Sequence, residues 1–259
     1  MVDRIVPLAP SASRTIHALG AADRIIGRTE HGSGPGEVIG GWLTPDLDRI
    51  DDLDPDLVVT TDALQEEISD ELVDRGHRTV HYDPSTLDEV LATIGSLGSA
   101  IGYHQEANHL VSELTTRIDT VRDRIADRPR PTVYCEEWQE PPMVAGNWVP
   151  DAVRVAGGHY PWLDAGERSQ EIEQDAIEAV DPDHVVLHIC GRGTGIDADS
   201  LTDRGWTLSA VEDGAVTVMP DHLLNQPSPS LVDGIERLAR RLHPPTEDQS
   251  PADPNGRVH

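Results

Sequence analysis

The sequence predicts an α/β protein in which two lobes are joined by one long helix. Three observations lead to this prediction. Short apolar runs alternate with stretches of helical periodicity along the chain, which is typical of a mostly parallel sheet covered by helices. A segment of the first half repeats in the second half, and a long amphipathic stretch lies between the two copies. The length of 259 residues suffices for two such lobes.

The order of the predicted elements is similar in the two halves. In the first half, apolar runs predict strands over residues 4–9, 24–29, 57–61 and 79–82, and helices beginning near Ser11, Glu66 and Thr86. In the second half, strands are expected over residues 132–136, 184–190 and 215–219, and helices over residues 149–155, 175–180 and 230–242.

The stretch between the halves predicts one long helix. Its apolar residues are spaced 3, 4, 3 and 4 apart and share one helical face: Val111, Leu114, Ile118, Val121 and Ile125. A helix of roughly 24 residues would be about 36 Å long, enough to cross between lobes. We therefore expect a lobe at 1–103, a linking helix at 104–128, a second lobe at 129–243 and a disordered tail at 244–259. The periodicity also fits a long helix inside a single domain.

The internal repeat favours two lobes. Residues 48–59 align with residues 175–186, and both read Asp-x-Ile-x-x-(Leu/Val)-Asp-Pro-Asp-x-Val-Val. Each copy predicts a short helix, a stop before proline and a buried strand. Two copies at half-chain spacing indicate duplicated lobes.

The charge of the chain excludes some classes of partner. There are 47 acidic residues against 20 basic ones, all of them Arg, and the net charge is −27. A surface this negative repels nucleic acid and anionic membrane surfaces. The acidic residues are spread over the whole length, which we interpret as the solvated surface of a halophilic protein. We expect a monomer.

The sequence predicts no structural disulfide, no membrane span and no signal peptide. Cys135 and Cys190 are expected to be free thiols. No apolar run approaches the roughly 18 residues of a membrane span. Residues 1–4 lead directly into an apolar run without a signal peptide, so we expect a cytoplasmic protein, or one at the cell surface if a leader has been removed.

Aromatic side chains mark the candidate binding surface. Trp42 lies in a Gly-Gly-Trp-Leu loop, and three more tryptophans, Trp138, Trp148 and Trp162, lie early in the second half. Residues 136–148 follow a predicted strand and precede a helix, which puts them at the strand end where α/β sheets bind ligands. A large, flat, apolar ligand would suit such residues, although tryptophans also pack under loops.

Catalytic patterns are weak, and we predict no enzyme and no cofactor of the protein's own. The nucleophile-elbow, phosphate-loop and dinucleotide glycine patterns are missing from the sequence. A soft-metal site of His188, Cys190 and Cys135 is the remaining metal hypothesis. A metal-dependent enzyme that uses these residues or the glutamates near Trp138 stays an alternative. His31 is the first histidine to test as an axial ligand to a metal in a macrocycle.

Several segments together resemble a family of binding proteins. They are residues 4–11, 47–59, 141–150, 155–158 and 225–229. The chain resembles the substrate-binding proteins of ABC importers for cobalamin, haem and iron-siderophores, and is most similar to the cobalamin receptors. The resemblance implies two Rossmann-like α/β lobes joined by one long rigid α-helix, the fold of helical-backbone metal receptors or class III periplasmic binding proteins.

The resemblance also implies site residues. Ser11 lies in the turn after the first strand, Trp42 matches an aromatic residue that contacts the corrin, and Met143 and Trp148 match cleft-facing positions of the other lobe. Trp162 is a further pocket candidate.

Two acidic residues match the family's docking positions. Asp48 and Asp175 match the residue with which each lobe grips the membrane permease. Carboxylates in these positions also complement a helix N-terminus.

We therefore expect a protein that binds a corrinoid such as cobalamin between its lobes, for ABC-type import of the vitamin. A cytoplasmic protein that binds or senses a corrinoid, haem or a siderophore is the first alternative.

Overall fold

The structure is a computed structural model that describes residues 2–244. The first lobe contains strands β1 (Ile5–Pro7), β2 (Gly27–Arg28), β3 (Glu37–Val38), β4 (Leu57–Thr61) and β5 (Thr79–Tyr82) and helices α1 (Pro10–Ala18), α2 (Leu47–Leu53), α3 (Glu66–Asp74) and α4 (Leu87–Ala100). Helix α5 (His104–Ile125) leads to the second lobe. That lobe contains β6 (Val133–Gln139), β7 (Pro142–Val144), α6 (Val149–Val155), β8 (Gln170–Glu171), α7 (Gln174–Val180), β9 (His184–Leu187), α8 (Ser200–Asp203), α9 (Ser209–Glu212), β10 (Val216–Val218) and α10 (Ser230–Leu242).

The first lobe is built on a parallel sheet in the order β1-β4-β5. The central strand β4 is buried along its whole length, as its run of β-branched residues predicts. The strand predicted at 24–29 is wrong in its extent. Ala22–Arg24 forms a 3₁₀ turn instead, because Arg24 turns back to donate hydrogen bonds to the carbonyls of Val2 and Ile101.

The second lobe has a five-stranded sheet in the order β10-β9-β6-β7-β8. Strands β10, β9 and β6 are parallel, whereas β7 and β8 add to the sheet in antiparallel fashion. The β6–β7 hairpin was not foreseen from the sequence. It carries β6 beyond its last pairing with β9, at Glu136, and so extends one sheet edge outward.

Helix α5 joins the two lobes, as predicted, and α4 supports it. Helix α5 has 22 residues and is about 33 Å long. Helix α4 packs alongside it and contributes to both hydrophobic cores: Leu87, Val90 and Ile94 join the core of the second lobe, while Leu97 joins that of the first. The connection is therefore a helix pair, which resists bending better than a single helix.

The helix pair depends on one glycine. Gly98 of α4 is buried against Ala107 of α5, and a Cβ atom at position 98 would overlap the Cβ of Ala107. Gly95, one turn earlier on α4, has open space around it. The lack of a side chain at position 98 thus allows α4 and α5 to approach each other closely.

The internal repeat is also a structural repeat. Helices α2 and α7 each end at an aspartate in the left-handed conformation, Asp54 with φ 44° and Asp181 with φ 48°, before β4 and β9 begin. The equivalence continues in Asp-Arg-Gly triplets that end α3 and α8, at residues 74–76 and 203–205.

No helix within residues 2–244 is both long and apolar enough to cross a membrane. Most of the tail predicted to be disordered, residues 245–259, lies outside the described residues.

Substituting Gly98 and Gly95 by alanine should have opposite effects on stability. Gly95→Ala should raise the free energy of unfolding by about 0.5–1 kcal/mol, because alanine favours the helix and meets no neighbour. Gly98→Ala should lower it by about 1–3 kcal/mol, because α4 must move away from α5. Urea unfolding of both variants measures the difference. Equal stabilisation by both would show that α4 and α5 do not depend on this contact.

Candidate functional site

The candidate site is the cleft between the carboxyl ends of the two parallel sheets. Direct contacts cross it at two points. The Arg14 guanidinium on α1 donates to the side-chain oxygen of Gln226 at 2.9 Å, and Arg168 lies 3.3 Å from the carboxylate of Asp83. Ligands of open α/β sheets bind at such edges, so the residues that end β4, β5, β6 and β9 line the candidate site.

Trp42 lies where the first lobe borders the cleft. Gln65, which is fully buried, fixes its loop by donating from Nε2 to the Trp42 carbonyl at 2.8 Å. The oxygen of the same amide accepts from the backbone N–H of Thr61, the last residue of β4. The half-buried Trp42 ring packs against the core of its lobe, and its Nε1–H is buried without a partner among residues 2–244. A ligand acceptor that reached this donor would remove the cost of leaving it unpaired.

Ser11 and His31 occupy different environments. Ser11 is buried in the first turn of α1, which begins at Pro10. His31 is exposed on a turn that Arg28 fixes through hydrogen bonds to the carbonyls of Gly32 and Gly34. The axial-ligand role of His31 stays a prediction.

The tryptophans predicted in the second lobe are largely engaged in packing. Trp148 is only 5% exposed, lies in the hydrophobic core and donates from Nε1 to the Leu224 carbonyl at 2.6 Å. Trp162 donates to the carbonyl of Val133, the first residue of β6, and meets Tyr134 edge-on at 5.7 Å. Trp162 thus lies at the amino end of β6, away from the cleft edge. Trp148 and Trp162 therefore fit the alternative in which these tryptophans pack inside the protein and do not line the binding surface.

A different tryptophan lies near the end of β6. Trp138 is 47% exposed, and its Nε1 donates to the Glu140 carbonyl at 3.0 Å, which fixes the ring. It lies opposite the half-buried Met143 of β7, where the strand register shifts. The sequence analysis names Trp138 in the segment 136–148 but does not include it among the site residues, because only the β6–β7 hairpin distinguishes the exposed Trp138 from the buried Trp148.

Asp48 and Asp175 lie in the first turns of α2 and α7. Both are exposed, but they differ in their partners. Asp48 lies 2.9 Å from Arg75, which also pairs with Asp51 and Glu71. Within residues 2–244, Asp175 forms no such ion pair. The N-cap of α2 is Asp46, so Asp48 does not cap its helix.

The arginine equivalent to Arg75 serves the interior of the second lobe. Arg204 binds both carboxylate oxygens of the fully buried Glu136, at 2.6 and 2.9 Å, and lies 4.9 Å above the Trp206 ring. Burial raises the pKa of Glu136, and Arg204 opposes this shift. The pair is structural, because a buried carboxylate without its partner is strongly destabilising.

The three candidate soft-metal ligands do not assemble. In residues 2–244, no three or more His, Cys, Asp or Glu side chains are arranged to hold a metal ion. Cys135 is fully buried, and burial raises the pKa of its thiol. Partial burial of the Cys190 thiol, together with the charges of Asp221 and Glu137, also raises its pKa. Raised pKa values disfavour the thiolate that metal binding or nucleophilic catalysis needs.

His188 is a buried neutral imidazole. The amide of Asn225 donates to the His188 carbonyl at 2.9 Å, so the amide oxygen is the acceptor for His188 Nδ1–H. Nε2 is then unprotonated, and it is buried without a partner in the described part of the chain. Burial lowers the pKa of His188 to about 4.

A cavity of about 600 Å³ lies where the beginning of α4, the end of α5 and α6 meet. Its charged lining residues are Arg122, Arg130, Arg154, Asp88, Asp123 and Asp151. Three positive and three negative side chains leave it without net charge, and it lacks aromatic side chains. The inter-lobe cleft is therefore the better candidate.

Comparisons with known proteins find a matching family model and similar proteins. The model of the periplasmic binding protein family matches residues 5–223. The cobalamin-binding protein of Halobacterium salinarum is 26% identical over 93% of this chain and 69% of its own length.

Solved structures share the fold. The periplasmic haem-binding protein RhuT of Roseiflexus superposes with a TM-score of 0.81 at 21% identity, covering 93% of this chain and 98% of its own. The periplasmic vitamin B12 binding protein BtuF of Vibrio cholerae superposes with a TM-score of 0.75 at 20% identity, covering 93% and 96%.

The neutral His188 should make the protein acid-sensitive. Because its folded-state pKa is about 4 against 6.5 for the free side chain, the unfolded state binds the extra proton between these values. Stability should therefore fall as pH drops from 6.5 to 4, by about 3 kcal/mol from this residue. Urea unfolding across this range should show a smaller loss in His188→Asn than in the wild type.

The exposed His31 provides the matched control, since His31→Asn should keep the wild-type dependence. An unchanged pH dependence in His188→Asn would contradict the assignment of a neutral imidazole.

Proposed function

The chain belongs to the periplasmic binding protein family, and on this premise we propose that it binds a corrinoid such as cobalamin between its lobes for ABC-type import. The observation that supports the proposal is the position of Trp42 beside the carboxyl end of β4, with an indole N–H that has no partner among residues 2–244. The H. salinarum relative supports the corrinoid as ligand class. The haem-binding neighbours share the fold and make haem the competing ligand.

The apolar side chains of the cleft suit a flat macrocycle. Trp42 on the first lobe and Trp138 on the second offer aromatic surface, and Leu64 adds an aliphatic side chain that is 60% exposed. Burying such side chains against a ring stabilises a complex by about 25 cal/mol per Å² of apolar surface. Affinity then arises from shape and apolar contact, with few polar contacts that fix orientation.

The helix pair implies a small movement on binding. Because α4 joins both cores and packs along α5, closure by hinge bending would break contacts in both lobes. The ligand therefore enters a cleft that is largely preformed, and little binding free energy is lost in ordering the protein.

Import also requires a membrane partner. Asp48 and Asp175 are equivalent in the repeat, exposed, and carried on the first turns of equivalent helices. One carboxylate on each lobe provides a symmetric pair of docking points for arginines of a permease. The proposal includes a location at the outer face of the cell membrane, where such a permease takes up its substrate.

Ligand binding is tested by titrating tryptophan fluorescence with cobalamin, haemin and a ferric siderophore. Cobalamin should quench the emission with saturation, because Trp42 contacts the ring. Trp42→Leu should weaken binding about tenfold, which corresponds to about 1.4 kcal/mol of lost contact.

Trp162→Leu is the matched control, because Trp162 packs at the amino end of β6 and should not affect affinity. Saturable binding of haemin alone would replace the corrinoid by haem as the ligand. No response to any of the three compounds would contradict the proposed function.

The proposed docking role of Asp48 and Asp175 is tested by measuring ligand affinity and uptake separately. Asp48→Arg and Asp175→Arg should each leave cobalamin affinity unchanged and abolish corrinoid uptake by cells that depend on this protein, because like charges then face each other across the contact. Asp70→Arg, at an exposed position of α3, is the control for added charge. Loss of cobalamin binding in the two docking variants would show that these residues serve the ligand site instead.

A further inference from the structure

Arg14 connects the two lobes at the cleft through a neutral partner. It lies in α1, the helix that follows the carboxyl end of β1. Its Nε donates a hydrogen bond at 2.9 Å to the side-chain oxygen of Gln226, which precedes α10 in the second lobe. The sequence alone does not show this contact, because the two residues are 212 positions apart in the chain.

Most of the hydrogen-bonding capacity of Arg14 is unused. A guanidinium has five N–H donors, and within residues 2–244 the Nε–H alone has an acceptor. The side chain is half-buried, and its two terminal nitrogens are open to solvent. The planar fork of a guanidinium matches two oxygens of a phosphate or a carboxylate.

Acidic residues of the adjoining second-lobe segment have other partners. The Asp221 carboxylate accepts from the backbone N–H groups of Gly191 and of the residue that follows Asp221. Asp233 of α10 lies 2.6 Å from Arg117 of α5. In the described part of the chain, Arg14 therefore forms no ion pair, although acidic residues outnumber basic ones by 47 to 20 in the whole sequence.

Both sides of the contact are fixed in position. On the first lobe, the Ser13 hydroxyl accepts from the backbone N–H of Ser33 at 2.9 Å, which ties α1 to the loop before β3. On the second lobe, the Asn225 amide donates to the carbonyl of His188, directly after β9. Gln226 is the next residue, so its loop is held at the carboxyl edge of the second sheet. A side chain that is already held in place loses less conformational entropy when it binds a ligand.

The other arginine that crosses the lobe boundary has a charged partner. Arg168 lies 3.3 Å from the carboxylate of Asp83. An anion at Arg168 would have to compete with this carboxylate, whereas at Arg14 it would compete with no charge. Arg14 is therefore the better anion site of the two.

We propose that Arg14 binds an anionic group on the rim of the ligand, such as a phosphate on a corrinoid side chain. This inference rests on the proposed function and refines its ligand. Phosphate oxygens accept charge-assisted hydrogen bonds from the N–H groups of a guanidinium. The propionates of haem offer the same chemistry, so the test includes both sources of the anion.

The test measures affinity by calorimetry for two corrins that differ only in a phosphate, dicyanocobinamide and dicyanocobinamide phosphate. The wild type should bind the phosphate form about tenfold more tightly, the size of one hydrogen bond to a charged group. Arg14→Gln should remove this preference through weaker binding of the phosphate form. Haemin and haemin dimethyl ester are the second pair, in which only the propionate charges differ.

Two further variants control for folding and for net charge. Arg14→Lys keeps the positive charge and should retain part of the preference, because an ammonium group lacks the planar fork. Arg78→Gln removes the same charge from an exposed position directly before β5, at the amino edge of the first sheet, and should leave the preference unchanged.

The outcomes separate this inference from the function on which it rests. If the wild type binds both corrins equally and haemin no better than its ester, or if Arg14→Gln keeps the full preference, the role of Arg14 is overturned and corrinoid binding stands. If Arg78→Gln lowers the preference as much as Arg14→Gln does, the effect is one of net charge, and the assignment to Arg14 is overturned. A preference that depends on Arg14 for haemin but not for the corrins would overturn phosphate as the anion in favour of propionate. If neither corrin binds the wild type, the proposed function itself is overturned.

Discussion

The packing of α4 against α5 is the constraint on which the rest of the structure depends. Gly98 lets the two helices approach closely, and the apolar face of each helix then serves both lobes. The lobes are therefore held at a fixed separation, and the cleft exists without a ligand to hold it. Each residue of the candidate site is positioned by elements that this helix pair keeps in place.

The duplicated lobes have diverged around equivalent arginines. Arg75 and Arg204 each end a short segment of helix before a glycine with positive φ, and each binds carboxylates. Arg75 binds exposed carboxylates beside Asp48, where solvent weakens the interaction. Arg204 binds the buried Glu136, where the pair secures the sheet that carries Glu137 and Trp138. The arginine of the same Asp-Arg-Gly triplet thus binds surface carboxylates in the first lobe and a buried carboxylate in the second.

Three titratable side chains of the second lobe are buried. His188, Glu136 and Cys135 are buried in strands or directly after them, and burial shifts the pKa of each toward its neutral form. Neutral His188 and Cys135 and the paired Glu136 each avoid an isolated buried charge, which would be strongly destabilising.

The sequence by itself determined the α/β class, the order of most helices and strands, and the duplication. These features follow from local periodicity, as in the spacing of Leu114, Ile118 and Val121, and from short-range signals such as Asp-Pro. Two features depended on partners that the local sequence does not show. The strand near Arg24 is shortened where Arg24 bonds to the carbonyls of Val2 and Ile101. The β6–β7 hairpin forms where β7 pairs with the edge of β6.

Only the tertiary structure decided which tryptophans are buried. Trp148 and Trp138 lie in one segment, but the fold buries the first and exposes the second. Periodicity reports which face of an element is buried, but not which distant surface that face meets.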